Sequence, residues 1–385
     1  MAPVYVASDN IITSLGFTSA ENIRNIKDNV TGVKLNTNPL LHPDPLFLSV
    51  ADTERLNQTS QAIIGEQKFT RFEKLLITSI SQASEKCSID LASPKTIFII
   101  SSTKGNIDLH EKRHQGEFEP ERIHLWKAAA EVSRFFQNPN KPYLISNACI
   151  SGVLAVITAV DLISSGKYDN AVVAGADIVS EFVVSGFQSF KSLSFGPCKP
   201  FDIGRDGLNL GEGAGTLLLT SDAGHVQDTQ KICACGGASS NDSNHISGPS
   251  RTGEGLYIAV QKAMTATNTT AENLDYISAH GTATPYNDEM EAKAFTLAGI
   301  ENVPVNSYKG YFGHTLGAAG VIETALSVHS MRANILFSTL GFSELGVPDA
   351  INVIKGLKNR TVNKVLKTAS GFGGCNAALV LCKTE

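Results

Sequence analysis

Three side chains decide what chemistry this chain of 385 residues can do: Cys149, His280 and His314. Cys149 stands in Ala148-Cys149-Ile150, between a short apolar run, Tyr143 to Ser146, and a long apolar stretch that begins near Ser151. That pattern predicts a strand followed by a helix, with the cysteine at the helix N-terminus. There the unpaired amides and the positive end of the dipole favour thiolate over thiol. A lone cysteine at such a junction is more often a small buried hydrophobe, and the two histidines reverse that prior. His280 follows the apolar Tyr276 to Ala279 and opens His280-Gly281-Thr282-Ala283-Thr284-Pro285. His314 lies within Lys309-Gly310-Tyr311-Phe312-Gly313-His314-Thr315-Leu316-Gly317-Ala318-Ala319-Gly320. Each of the three sits at a glycine-bounded turn, and together they make a nucleophile with two imidazoles.

The elements that must position them alternate, which predicts sheets covered by helices. Strands are expected at Val4 to Ala7, Thr96 to Ile100, Tyr143 to Asn147, Ala171 to Gly175 and Thr216 to Thr220 in the first half. The second half repeats the pattern, with strands at Ile232 to Gly236, Tyr276 to Ala279, Val303 to Asn306, Val365 to Ser370 and Ala377 to Leu381. Between them, Phe72 to Cys87, Ser151 to Ser165, Gly253 to Ala266, Asp288 to Leu297 and Gly317 to Arg332 have the length and apolar spacing of helices. The polar stretch from Ser221 to Lys231 is the natural seam, dividing the chain into 1–225 and 226–385. Gly211-Glu212-Gly213-Ala214-Gly215 looks like a phosphate loop but lacks the lysine and precedes a strand, so a structural turn is expected.

Composition sets limits. A hydrophobic content of 42% supplies ample core, and a formal charge of -5 argues against a broad nucleic-acid surface. No uninterrupted apolar run approaches the length of a membrane span, and no early cationic segment leads into an apolar one, so a soluble, uncleaved, cytoplasmic protein is expected. Seven cysteines, an odd number without framework spacing, fit a reducing compartment. Cys233 and Cys235 are too close together for a zinc knuckle, and no metal is expected.

The Cys149 segment, the stretch from Phe201-Asp202 through Arg205-Asp206-Gly207 to Gly215, the His280 run, the Lys309 run and Gly371-Phe372-Gly373-Gly374 follow one another in an order that resembles one family. It is that of the β-ketoacyl-[acyl-carrier-protein] synthases, elongating Cys-His-His type, of the condensing-enzyme superfamily. The resemblance implies an α/β, thiolase-like five-layer fold of two similar halves, each with a mixed sheet. It implies an acyltransferase that performs a decarboxylative Claisen condensation of an acyl group on Cys149 with malonyl-acyl carrier protein. Catalytic roles would fall to Cys149, His280, His314, Lys309 and Glu323. The oxyanion hole would be the amides of Cys149 and Phe372, and Thr282 and Thr284 would bind the phosphopantetheine arm. That arm belongs to the carrier substrate, and no tightly bound cofactor is implied. The partners implied are an acyl carrier protein and a homodimer mate, or a related ketosynthase or chain-length factor. Two alternatives stand beside fatty-acid elongation: a specialised ketosynthase of aryl polyene or polyketide assembly, and a non-catalytic chain-length subunit, which the presence of Cys149 argues against.

The chain departs from the family pattern at several positions. Ile150 follows the cysteine where a small residue is usual, Ser370 precedes Gly371, and Cys375 stands at a Thr or small aliphatic position. The loop Leu193 to Lys199 is short, leaving Lys191, Lys199 and Arg205 as candidates for carrier contacts. Lys104 falls where relatives place an apolar residue at the far end of the acyl pocket. It is therefore expected either to meet a polar substrate end there or to turn outward to solvent.

Overall fold

The computed structural model describes residues 3–242, 248 and 250–384. Ten strands carry the architecture: β1 (Tyr5–Ile12), β2 (Thr96–Ser101), β3 (Tyr143–Ile145), β4 (Asn170–Asp177), β5 (Gly213–Thr220), β6 (Ile232–Asn241), β7 (Tyr276–Ser278), β8 (Val305–Asn306), β9 (Lys364–Gly371) and β10 (Cys375–Lys383). The first five run in the order β3-β2-β4-β5-β1, with two parallel pairings followed by two antiparallel ones. The second five run β8-β7-β9-β10-β6 with the same succession of parallel and antiparallel pairs. The two halves therefore repeat one topology. Their strands are joined where Tyr5 pairs with Cys233, so the two expected sheets form one continuous ten-stranded sheet.

Period-two alternation explains why both faces of this sheet need cover. In β2, Ile97 and Ile99 join the central core, while Phe98 and Ile100 join the core under helices Arg71–Ser84 and Leu125–Phe135. In β9, Val365 and Ala369 face the central core, and Leu366 faces helices Glu254–Ala266 and Pro285–Leu297. Helices Ser151–Ser164 and Ala319–Ala333 occupy the central layer. Their backbones approach so closely that a Cβ on Gly320 would lie 2.3 Å from the Val153 nitrogen, which only glycine permits.

Two expectations are corrected here. The glycines of 211–215 do not form a turn: Gly213 already opens β5, and a Cβ there would lie 2.6 Å from the Ile12 carbonyl oxygen. They are small because neighbouring backbone passes close. The cysteines are not all free either, because Cys235 and Cys382 form a disulfide across β6 and β10. A register shift near Val380 and Leu381 leaves Cys235 as the extra residue of a bulge, beside a partner that is remote in sequence. No helix among the described residues is long and apolar enough to cross a membrane.

Candidate active site

The turn that presents Cys149 is built locally. Ala148 adopts a left-handed φ of 44°, breaking the path of β3 before the helix Ser151–Ser164 begins. Ser151 locks the turn: its hydroxyl accepts from the Asn147 amide at 2.8 Å and donates to the Ala148 carbonyl at 2.6 Å. Across the β9–β10 hairpin, the Phe372 amide is aimed at the Cys149 thiol. The glycine before it lies so near the nucleophile that a Cβ on Gly371 would be 3.0 Å from the Cys149 nitrogen. The two amides expected to form an oxyanion hole therefore flank one sulfur.

His280 leaves the end of β7. Its backbone amide and that of Gly281 donate to the buried Glu291 carboxylate, at 2.8 and 2.6 Å. Asp288 accepts from the amides of Thr282 and Ala283, so two carboxylates of helix Pro285–Leu297 hold the loop from beneath. Burial pushes the Asp288 carboxyl up to about 7, and burial likewise raises that of Glu291. His314 leaves a turn whose amide donates to Asn209 O. The two imidazoles meet edge to face with centroids 5.0 Å apart. The Cys149 sulfur and one nitrogen from each ring all lie within 4.8 Å of one another.

Protonation states follow from burial. The ammonium of Lys309 lies 3.3 Å from His280 Nδ1 and 2.5 Å from the His280 carbonyl oxygen. An ammonium only donates, so Nδ1 accepts and the neutral ring carries its proton on Nε2. Burial holds both His280 and His314 well below the usual imidazole range, and the Lys309 charge adds to that. Among the described residues, neither nitrogen of the buried His314 has a hydrogen-bond partner, a condition that an incoming polar group would relieve. Burial also pushes the Cys149 thiol up to about 12, outweighing the Lys309 charge and the Phe372 amide that act the other way. The expectation of a standing thiolate is thus corrected: the sulfur rests as a thiol beside two neutral bases.

Glu323 projects from helix Ala319–Ala333 and bridges two lysines, 2.8 Å to Lys309 and 2.6 Å to Lys367. Burial raises its carboxyl, but the two ammoniums overcome this and hold it below the usual range. Lys367 was not anticipated from the sequence. Its signal was a lysine at a core-facing position of β9, between Val365 and Ala369.

A cavity of about 290 Å³ opens over Cys149, His280 and His314. Thr282 and Thr284 line it, their hydroxyls 2.8 Å apart and facing one side as the extended segment requires. At its mouth Phe372 packs against Phe187 and Phe190, with centroids at 5.6 and 5.1 Å. Lys191 also lines it, and Lys199 is exposed nearby in the chain. Arg205 is not a free surface cation: its side chain, 7% exposed, pairs with Glu289 and donates to Asp202 O and Gly346 O. Lys104 does not line this cavity. It takes the outward course, exposed, with its ammonium 5.7 Å above the Phe182 ring.

Comparison with known proteins matches residues 47–225 to the family model "Beta-ketoacyl synthase, N-terminal domain" and residues 232–343 to "Beta-ketoacyl synthase, C-terminal domain". The chain is 34% identical over 273 residues to 3-oxoacyl-[acyl-carrier-protein] synthase 2 of Rhizobium meliloti, covering 67% of this chain and 64% of that protein. It is 31% identical over 310 residues to the synthase 2 of Vibrio cholerae, covering 73% of this chain and 74% of that one. The match to a putative mitochondrial synthase of Schizosaccharomyces pombe spans 60% of that protein. Among solved structures, a ketosynthase in complex with its chain length factor from Xenorhabdus doucetiae superposes with a TM-score of 0.84 at 25% identity, covering 100% of this chain and 98% of that one. A β-ketoacyl synthase from Burkholderia phymatum superposes with a TM-score of 0.86 at 23% identity, covering all of both chains.

Proposed function

The chain belongs to the β-ketoacyl synthase family, and on that premise we propose that it is an acyltransferase that condenses an acyl group held on Cys149 with a malonyl group held on an acyl carrier protein. The observation that carries this reading is the convergence of Cys149, His280 and His314 within 4.8 Å at the base of one cavity. In the first half-reaction the Cys149 sulfur attacks the carrier thioester, the amides of Cys149 and Phe372 receive the oxyanion, and the carrier thiol leaves with the proton. A neutral imidazole within reach serves as the acceptor through which that proton passes. In the second half-reaction the malonyl carboxylate leaves as carbon dioxide, and its electron pair forms an enolate at the thioester. His280 Nε2–H and an N–H of His314 hydrogen-bond the enolate oxygen. The enolate carbon then attacks the Cys149 thioester, forming the new C–C bond and expelling the sulfur as a thiolate, which takes up a proton from solvent.

Thr282 and Thr284 line the approach, where paired hydroxyls suit the amides of a phosphopantetheine arm. That arm arrives with the carrier, so no resident cofactor is proposed. Lys309 and Glu323 hold His280 and fix the charge around it. The seam between halves lies in 221–231, and a cytoplasmic location accords with the five free cysteines, though not with the Cys235–Cys382 disulfide.

The partner on the other side is a second copy or a related ketosynthase or chain-length factor. Strand β3 supports this: it pairs with β2 and ends the sheet, leaving a strand edge of the kind that another chain extends. The Xenorhabdus ketosynthase was solved with its chain length factor, which supports the specialised-pathway alternative to fatty-acid elongation. Sedimentation tests the pairing, since an active monomer of 40.9 kDa contradicts it. The reaction itself is tested with Cys149→Ala, which is expected to lose condensation and retain carbon dioxide release from malonyl carrier. Unimpaired condensation by that variant would overturn the assignment.

A further inference from the structure

Lys367 is wholly buried on β9 in register with Ser278, the last residue of β7 before Ala279 and His280. Its ammonium donates to the carbonyls of Ser278 and Ala279, both at 3.2 Å. It also lies 2.6 Å from Glu323 Oε2, a charge contact. Three oxygens thus enclose one cation. Glu323 Oε1 is taken by Lys309, which in turn holds the His280 ring and carbonyl. Glu291 completes the shell, accepting from the His280 and Gly281 amides and from the Thr368 hydroxyl.

We infer that Lys367 is a positioning residue for the His280–His314 pair, a built-in cation that fixes the end of β7 and keeps both imidazoles in their neutral, hydrogen-bond-donating form. Burying an ammonium is costly, and an apolar side chain of similar length would fill the site without that cost. The charge is therefore the feature to explain. Two ammoniums, Lys309 and Lys367, face one ionised carboxylate, Glu323, with the buried carboxyls of Glu291 and Asp288 and the Cys149 thiol around the rings. The two ammoniums oppose a proton on either imidazole. Burial alone lowers both rings, and the Lys367 charge acts in the same direction on each. The inference rests on the proposed role of the two histidines as neutral donors.

The test is the titration of the histidine ring carbons by NMR, in wild type, Lys367→Met and Lys367→Arg, beside the pH profile of malonyl decarboxylation. In Lys367→Met the ionisation of His280 and His314 is expected to rise by at least one pH unit. The acid limb of kcat should move with it, while KM for the carrier stays unchanged. Lys367→Arg should keep the wild-type profile. A folded Lys367→Met with wild-type histidine titrations and an unmoved acid limb, even if less stable, would overturn the inference. If Lys367→Met does not fold, Lys367→Ala decides. Ammonium chloride, but not tetramethylammonium chloride at equal ionic strength, should restore its decarboxylation at least tenfold, and no restoration overturns the inference. The ring titrations need no substrate. A shift in them with no carbon dioxide release from wild type would sink the proposed reaction and leave the role of Lys367 standing.

Discussion

Replacing Glu323 by Gln removes the carboxylate that contacts two ammoniums, both 0% exposed, while the carboxylate itself is 1% exposed. Breaking a buried ion pair from one side costs about 3–5 kcal/mol, because the remaining charge stays desolvated. The fold has one partial escape: Lys367, whose ammonium burial already disfavours, can shed its proton. A lysine whose folded pKa lies below its unfolded value near 10.4 binds fewer protons folded than unfolded throughout the interval between them. Stability of the variant must then rise with pH in that interval, by at most about 1.4 kcal/mol per unit for one lysine. Urea unfolding of wild type and Glu323→Gln at pH 7 and pH 9, at matched ionic strength, reads this directly. The expected result is a loss of about 3–5 kcal/mol at pH 7 that shrinks at pH 9. A loss below about 1 kcal/mol, or one identical at the two pH values, would refute the picture of a tightly coupled Lys-Glu-Lys cluster.

Alkylation of Cys149 by iodoacetamide should climb about tenfold per pH unit between pH 7 and 9 and show no plateau there, because burial holds the thiol high. A plateau below pH 8 would mean that the helix terminus and Lys309 prevail. Gly371→Ala puts a methyl 3.0 Å from both the Cys149 nitrogen and the Cys375 sulfur, so acylation should slow by about 10² while thermal stability changes little. Wild-type acylation rates in that variant would separate the Phe372 hairpin from the chemistry. Lys191→Glu and Lys199→Glu should weaken the dependence of rate on carrier concentration and its salt sensitivity, and unchanged values in both would move carrier docking elsewhere. Because both imidazoles are held below their unfolded value near 6.5, they contribute stability that is present above that pH and lost as pH falls below it. Denaturation profiles that are flat between pH 7 and 5 in wild type but sloped in a His280→Gln, His314→Gln double variant would contradict this.

The nucleophile and its two histidines were legible because each is announced locally, by an apolar run that stops at a glycine-flanked turn. The pairing of the Thr282 and Thr284 hydroxyls followed from strand geometry in the same way. What escaped is carried by contacts between residues remote in sequence. Lys367 reaches Glu323 and the carbonyls before His280 only because β9 pairs in parallel with β7. Cys235 meets Cys382 through a bulge that no spacing rule announces. The glycines of 211–215 were misread as a turn because sequence records their small size but not the backbone at Phe312, Ile12 and Ile322 that passes beside them. Arg205 looked like a surface cation until the fold brought Gly346 and Glu289 to it. The thiolate expectation failed for a related reason: the helix terminus is a local feature, whereas the burial that opposes it is set by the whole fold.

The central claim is that Cys149 carries the acyl chain between two half-reactions, and intact-mass measurement of the protein with an acyl carrier panel tests it most directly. Wild type should gain the mass of one acyl group, mapped to Cys149, and lose it on addition of malonyl carrier as the β-ketoacyl product appears. Product formed by wild type without any Cys149 adduct, or an adduct that persists unchanged while malonyl carrier is consumed into product, would contradict the account.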